Sequence, residues 1–181
     1  MKLDRWKKLT TELKFKNNWW SYKVDEYLYS NGKKGEYHYV HTNGSAFIVP
    51  VLPNGSIIMV KQYRYLNDRF SIEFPGGGVK HEDNHDNEAH KELIEETGYD
   101  GELGYAGEFN PYNGVTNEIC KVYIARNLRP SSEYKKDDSE EFEMLDFSPA
   151  EIEEMIDKNE IYDGMTLAAW ALVKRQLTIN K

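Results

Sequence analysis

For most of its length the chain places apolar residues in short runs with a period near two, changing to helical spacing in only a few places. Residues 1–18 stand outside this pattern and read as a polar N-terminal arm that a helix would suit. The run from Trp19 to Tyr29 ends at the turn signal Ser30-Asn31-Gly32, and Glu36 to His41 then alternates polar with aromatic or aliphatic residues before Asn43-Gly44. Together they predict a hairpin. Ala46 to Leu52 and Ser56 to Tyr65 flank Pro53-Asn54-Gly55 and predict another, and a short strand, Phe70 to Phe74, runs into Pro75-Gly76-Gly77-Gly78. From about Asp86 to Thr97 the spacing is helical, and Gly98 is placed to stop the helix.

Strand-like stretches return at Glu102–Phe109 and Glu118–Ala125, followed by a charged loop from Arg129 to Glu141 whose composition suggests mobility. Ser148-Pro149-Ala150-Glu151 is a helix start, with Ser148 as N-cap, Pro149 in the first helical position and Glu151 closing a capping box. A last helix begins near Asp163 and carries Leu167, Trp170, Ala171 and Lys174 on adjoining turns. This order predicts an α/β (α+β) fold, a mixed β-sheet sandwich flanked by helices with an N-terminal strand extension. Its 181 residues allow one domain and a modest appendage, which divides the chain into 1–44, arm and strands, and 45–181, the main domain.

Composition narrows the function classes. A formal net charge of -8 repels a nucleic-acid backbone, so no nucleic-acid partner is expected. A single Cys excludes an intrachain disulfide and fits a reducing compartment, the cytoplasm. No run approaches the roughly 20 apolar residues of a membrane helix. The basic opening Met-Lys-Leu-Asp-Arg-Trp-Lys-Lys is followed by Lys14, Lys16 and two Asn before any leader-like apolar stretch can form.

The chemistry is concentrated between Gly76 and Tyr99. On a helix, Glu88, Glu92, Glu95 and Glu96 fall within an arc of about 100°. Four carboxylates on one face ask either for a cation or for full solvation, and an all-oxygen donor set favours Mg²⁺ or Mn²⁺ over zinc. The pattern alone leaves both options open.

The surrounding residues resemble the Nudix box, G-x5-E-x7-R-E-U-x-E-E-x-G-U, where U is aliphatic or aromatic. Gly77 takes its first position, Asp83 the first acidic one and Lys91 that of the Arg; Glu92, Leu93, Glu95, Glu96, Gly98 and Tyr99 take the rest. Gln62-Tyr63-Arg64, Glu73-Phe74-Pro75 and Asn113-Gly114-Val115-Thr116-Asn117-Glu118 look like segments of the branch that hydrolyses ADP-ribose and nucleoside-diphosphate sugars. The resemblance implies a Nudix hydrolase domain over 45–181 that cleaves a nucleoside diphosphate linked to another moiety, such as ADP-ribose. It implies Mg²⁺ (or Mn²⁺) held by Glu92, Glu95, Glu96 and the Gly76 carbonyl, with Arg64, Glu73 and Glu118 binding the substrate. The general base is then Glu140 or Glu141 on the loop after the box, or Glu92 if that loop is a linker. Relatives pair through N-terminal strands, so a homodimer is expected.

Two departures matter. A Lys ammonium at 91 lacks the planar fork with which Arg orients the carboxylates, and Asp83 is one methylene short, although Glu82 stands beside it. Asn113, where the ADP-ribose branch commonly has proline, weakens ADP-ribose as the preferred substrate. Trp19, Trp20, Tyr22, Tyr27, Tyr37 and Tyr39 suit stacking on a nucleobase, contact with a partner subunit or ordinary sheet packing equally.

Rival readings are weaker. His81-Glu82-Asp83-Asn84-His85 spells the zinc-peptidase pattern H-E-x-x-H, but it follows three glycines and contains residues suited to a helix start. The triple glycine lacks the Gly-Lys-Ser/Thr of a phosphate loop, and Cys120 sits in an apolar strand with no His nearby. A non-catalytic nucleotide-binding module and a nucleoside-triphosphate pyrophosphohydrolase remain as alternatives, although a module would be free to lose the helix carboxylates.

Overall fold

The computed structural model describes residues 4–81, 83–132 and 141–178. The chain divides into two compact units, Met1–Asn43 with Asn110–Glu118, and Gly44–Phe109 with Ile119–Lys181.

The first unit is an antiparallel sheet of β1 (Lys7–Lys16), β2 (Ser21–Leu28) and β3 (Lys34–His41), with β2 in the middle. The arm is therefore a ten-residue strand, and the helical expectation for it is corrected. Leu9, Thr11, Leu13 and Phe15 alternate with polar residues, a period-two signal that its many lysines obscure. Bulges between Lys8 and Thr10 and between Leu13 and Phe15 further blur the alternation. The Asn110–Glu118 segment is tied to β3 by the Val40 N–H donating to Val115 O at 2.9 Å and the Tyr37 hydroxyl donating to Gly114 O at 3.2 Å.

In the second unit, β4 (Ser45–Pro50), β7 (Gly76–Gly78), β8 (Tyr99–Phe109) and β9 (Cys120–Pro130) form a mixed sheet in the order β7-β4-β9-β8. A second sheet places β5 (Ile57–Arg64) between β6 (Arg69–Glu73) and β10 (Phe142–Phe147). Helix α1 (His85–Thr97) covers one face of the first sheet, its Ala89 and Leu93 packing on Ala46, Ile48, Tyr123 and Ala125. On the opposite side Phe47, Val49, Val122 and Ile124 join Ile57 and Met59 of the second sheet. The same core takes Ile152 from α2 (Pro149–Asp157) and Trp170 and Val173 from α3 (Gly164–Thr178). Because β4 is packed on both faces it reads as a continuous apolar run.

The expected sandwich with flanking helices is present. Ser148 makes the predicted capping box with Glu151, and Gly98 ends α1 at φ 72°, a conformation open to glycine at little cost. Among the described residues no helix is long and apolar enough to cross a membrane.

Candidate active site

The site is built where the glycine strand meets α1. Strand β7 pairs antiparallel with β4, Gly77 opposite Ala46 and Gly76 opposite Phe47. A Cβ at Gly76 would lie 2.5 Å from Ala46 O, and one at Gly77 would fall on the Glu92 carboxylate. Glycine here lets backbone and carboxylates approach more closely than any side chain would allow. Helix α1 is fixed at its start by Asn84, whose side chain accepts from the Asp86 and Asn87 N–H groups, each at 3.0 Å. Along α1, Glu88, Glu92 and Glu96 recur every four residues and so form one row, with Glu95 beside it.

Around these carboxylates the charges are tightly interlocked. Lys91 Nζ lies 3.3 Å from Glu88, 3.6 Å from Glu92 and 2.9 Å from Glu95. Although burial works against its charge, the hydrogen bond to Glu95 and the charges of Glu92 and Glu88 hold the ammonium above its ordinary range. Glu96 Oε2 accepts from the Gly76 N–H at 2.8 Å. The Glu92 carboxyl is pushed from 4.5 to about 8, first by burial, then by its hydrogen bond with Glu88 and by the charge of Glu96. An open cleft of about 360 Å³ runs along the helix past Asn87, His90, Lys91, Ile94 and Glu95.

Among the described residues, no three His, Cys, Asp or Glu side chains converge in the geometry of an ion site. Lys91 stands between the carboxylates, and Glu96 is turned to the Gly76 N–H. The donor set nevertheless fits a hard divalent ion. It is all oxygen, it carries more negative than positive charge, and Glu88 Oε2 is buried with no hydrogen-bond partner.

The other expected residues fall into three groups. Arg64 forks onto Glu73, Nε donating to Oε1 at 2.8 Å and Nη2 to Oε2, and Glu73 is only 2% exposed. Hydrogen bonding to Glu73 is the main reason the Arg64 guanidinium is held so firmly protonated, with the Glu96 charge among the smaller contributions. These two residues, taken separately in the sequence, thus form one unit. Glu118 belongs to the first unit, where its backbone N–H donates to Thr116 Oγ1 at 3.1 Å. Glu141 is exposed, one residue before Phe142, which pairs with Gln62; Glu140 and Glu82 lie outside the described residues.

Asp83 accepts from the Asn84 N–H at 2.8 Å and the Asn87 side-chain amide at 2.9 Å, so it serves the start of α1. His81 precedes the helix and His85 begins it, with Nε2 3.2 Å from Ile119 O, so the two do not share a helix face as a zinc peptidase needs. Cys120 is a buried core residue. Glu88 was legible as a member of the carboxylate arc, but its burial was not.

The raised Glu92 carboxyl has a consequence for stability. In chelator, the folded state holds this proton more tightly than the unfolded chain, so the associated stability is full below about pH 4.5 and is lost as pH rises through about 8. The melting temperature of the metal-free protein is expected to fall by several degrees across that window, and Glu92→Gln to remove most of the slope. An identical slope in the variant would assign the titration to another group.

Comparison with known proteins gives a consistent set of matches. A family model described as NUDIX domain matches residues 42–167. The chain is 31% identical over 156 residues to an ADP-ribose pyrophosphatase of Bacillus subtilis (strain 168), covering 85% of this chain and 83% of that protein. It is 28% identical over 170 residues to a methanol dehydrogenase activator of Bacillus methanolicus, covering 93% and 92%. A crystal structure of an ADP compounds hydrolase shares the fold with a TM-score of 0.83 at 19% identity, over 98% of this chain and 97% of that one.

Proposed function

The chain belongs to the Nudix family of hydrolases, and on that premise we propose that it hydrolyses the diphosphate linkage of a nucleoside diphosphate joined to a second moiety. A sugar nucleotide such as ADP-ribose is the leading substrate, in keeping with the 31%-identical pyrophosphatase. The observation that carries this reading is the seating of two box carboxylates on the glycine strand: Glu92 against Gly77 and Glu96 on the Gly76 N–H.

Glu92, Glu95, Glu96 and the Gly76 carbonyl would hold the divalent ion, with Mg²⁺ first and Mn²⁺ second by donor chemistry. Such an ion, when bound, offsets the negative charge of the diphosphate and acidifies water beside the phosphorus. Lys91 holds the carboxylates in register across one turn of α1. Glu92, half-buried and close to the glycine strand, is the proton acceptor most directly supported by geometry, with Glu141 and Glu140 as loop alternatives. Arg64, aligned by Glu73, is a bidentate phosphate clamp in waiting, and Glu118 is a further substrate-binding residue. We place the enzyme in the cytoplasm as a homodimer, with 1–44 as the pairing and substrate-binding extension and 45–181 as the hydrolase domain.

A substrate panel tests the proposal. Sugar nucleotides should yield no orthophosphate until an added phosphatase acts on the two monoester products. Nucleoside triphosphates should be poorer, because binding energy from a group on each side of the diphosphate aligns the reacting phosphorus. Faster turnover of triphosphates, with direct release of pyrophosphate, would move the chain to another substrate branch.

A further inference from the structure

Glu88 is the observation that the proposed site does not absorb. It lies in the middle of the carboxylate row, four residues before Glu92, and is 1% exposed. Lys91 donates to its Oε1 at 3.3 Å and the Glu92 carboxyl is hydrogen-bonded to the same side chain, whereas Oε2 is buried with no donor placed on it. A buried carboxylate oxygen left without a donor is costly unless a cation reaches it.

Two neighbouring features point the same way. The box's first acidic residue, Asp83, accepts from Asn84 and Asn87 at the helix start, so the second ionic partner that Lys91 needs on the N-terminal side is Glu88. An ammonium distributes its donors around a point, unlike a planar fork, and Lys91 does so among Glu88, Glu92 and Glu95. With Glu96 next along the row, four carboxylates stand against one ammonium, a surplus that a divalent ion would neutralise.

We propose that Glu88 is a fourth carboxylate of the divalent-metal centre, its buried Oε2 facing the ion held by Glu92. This rests on the metal-dependent reading above and extends it to a residue outside the three box ligands. Glu88 and Lys91 thereby act as a pair, replacing the fork of an Arg with an ammonium and an additional acidic ligand.

The test is Mn²⁺ binding, followed by the loss of the free-ion electron paramagnetic resonance signal, on full-length protein without substrate. Glu88→Gln preserves shape and removes charge; Glu88→Ala removes the buried group and favours the helix, which safeguards against a variant that fails to fold. Both are expected to weaken Mn²⁺ binding at least about tenfold, or to lose one ion from the stoichiometry, while melting in chelator no earlier than the parent. Glu96→Gln serves as the reference. If it weakens binding and the Glu88 variants do not, Glu88 is only the partner of Lys91 and the proposal is overturned. If the parent itself binds no Mn²⁺, the metal-centre reading fails, and this proposal with it.

Discussion

Glu96→Gln should lower turnover at saturating Mg²⁺ by about a thousandfold while leaving the fold intact, the scale expected when one preorganised electrostatic group is removed from a reacting centre. The structure makes this substitution informative because Glu96 has a fixed seat: its Oε2 accepts from the Gly76 N–H at 2.8 Å. A Gln can offer its amide oxygen to the same N–H, so position is retained and charge is lost. The change also relieves Glu92 of a like charge, so the metal-free variant should melt no earlier than the parent. Circular dichroism and melting separate this from misfolding. Near-parental turnover would mean that the ion sits elsewhere.

Gly77→Ala should cost about a hundredfold in turnover with little loss of stability, because misplacing a reacting group by about 1 Å is enough for such an effect. The added Cβ would meet the Oε1 and Cδ of Glu92, the far end of a flexible side chain, so the helix and sheet can stay where they are while the carboxylate swings away. Gly76→Ala is the contrasting case. There the nearest atoms are Ala46 O at 2.5 Å, the Phe47 ring at 2.9 Å and Phe47 Cα at 3.1 Å; the two backbone atoms cannot move without breaking the β4–β7 pairing, so stability falls as well. Equal melting losses in the two variants would contradict the proposed closeness of Glu92 to the glycine strand.

Much of this arrangement was legible before the structure. Helix α1, its stop at Gly98 and the capping box at Ser148 follow from local chemistry, which a sequence displays directly. The elements that escaped notice depend on partners. Strand β7 consists of three glycines and has no side-chain pattern to read; β4 imposes its pairing. Strand β10, six residues between a charged run and Ser148, takes its register from β5. The same distinction applies inside the site. A helical wheel puts Glu88 on the acidic face, but only packing against the sheet shows that it is buried with an unpartnered oxygen. Likewise, Arg64 and Glu73 look like independent substrate contacts until the β5–β6 hairpin brings them together as a fork.

The central claim, metal-dependent cleavage within a diphosphate, is tested most directly by identifying products from ADP-ribose with and without a divalent ion. The account predicts AMP and ribose 5-phosphate in equal amounts with Mg²⁺, no free orthophosphate, and no turnover in chelator until Mg²⁺ or Mn²⁺ is restored. Equal rates in chelator, or release of orthophosphate in place of two monoesters, would contradict it.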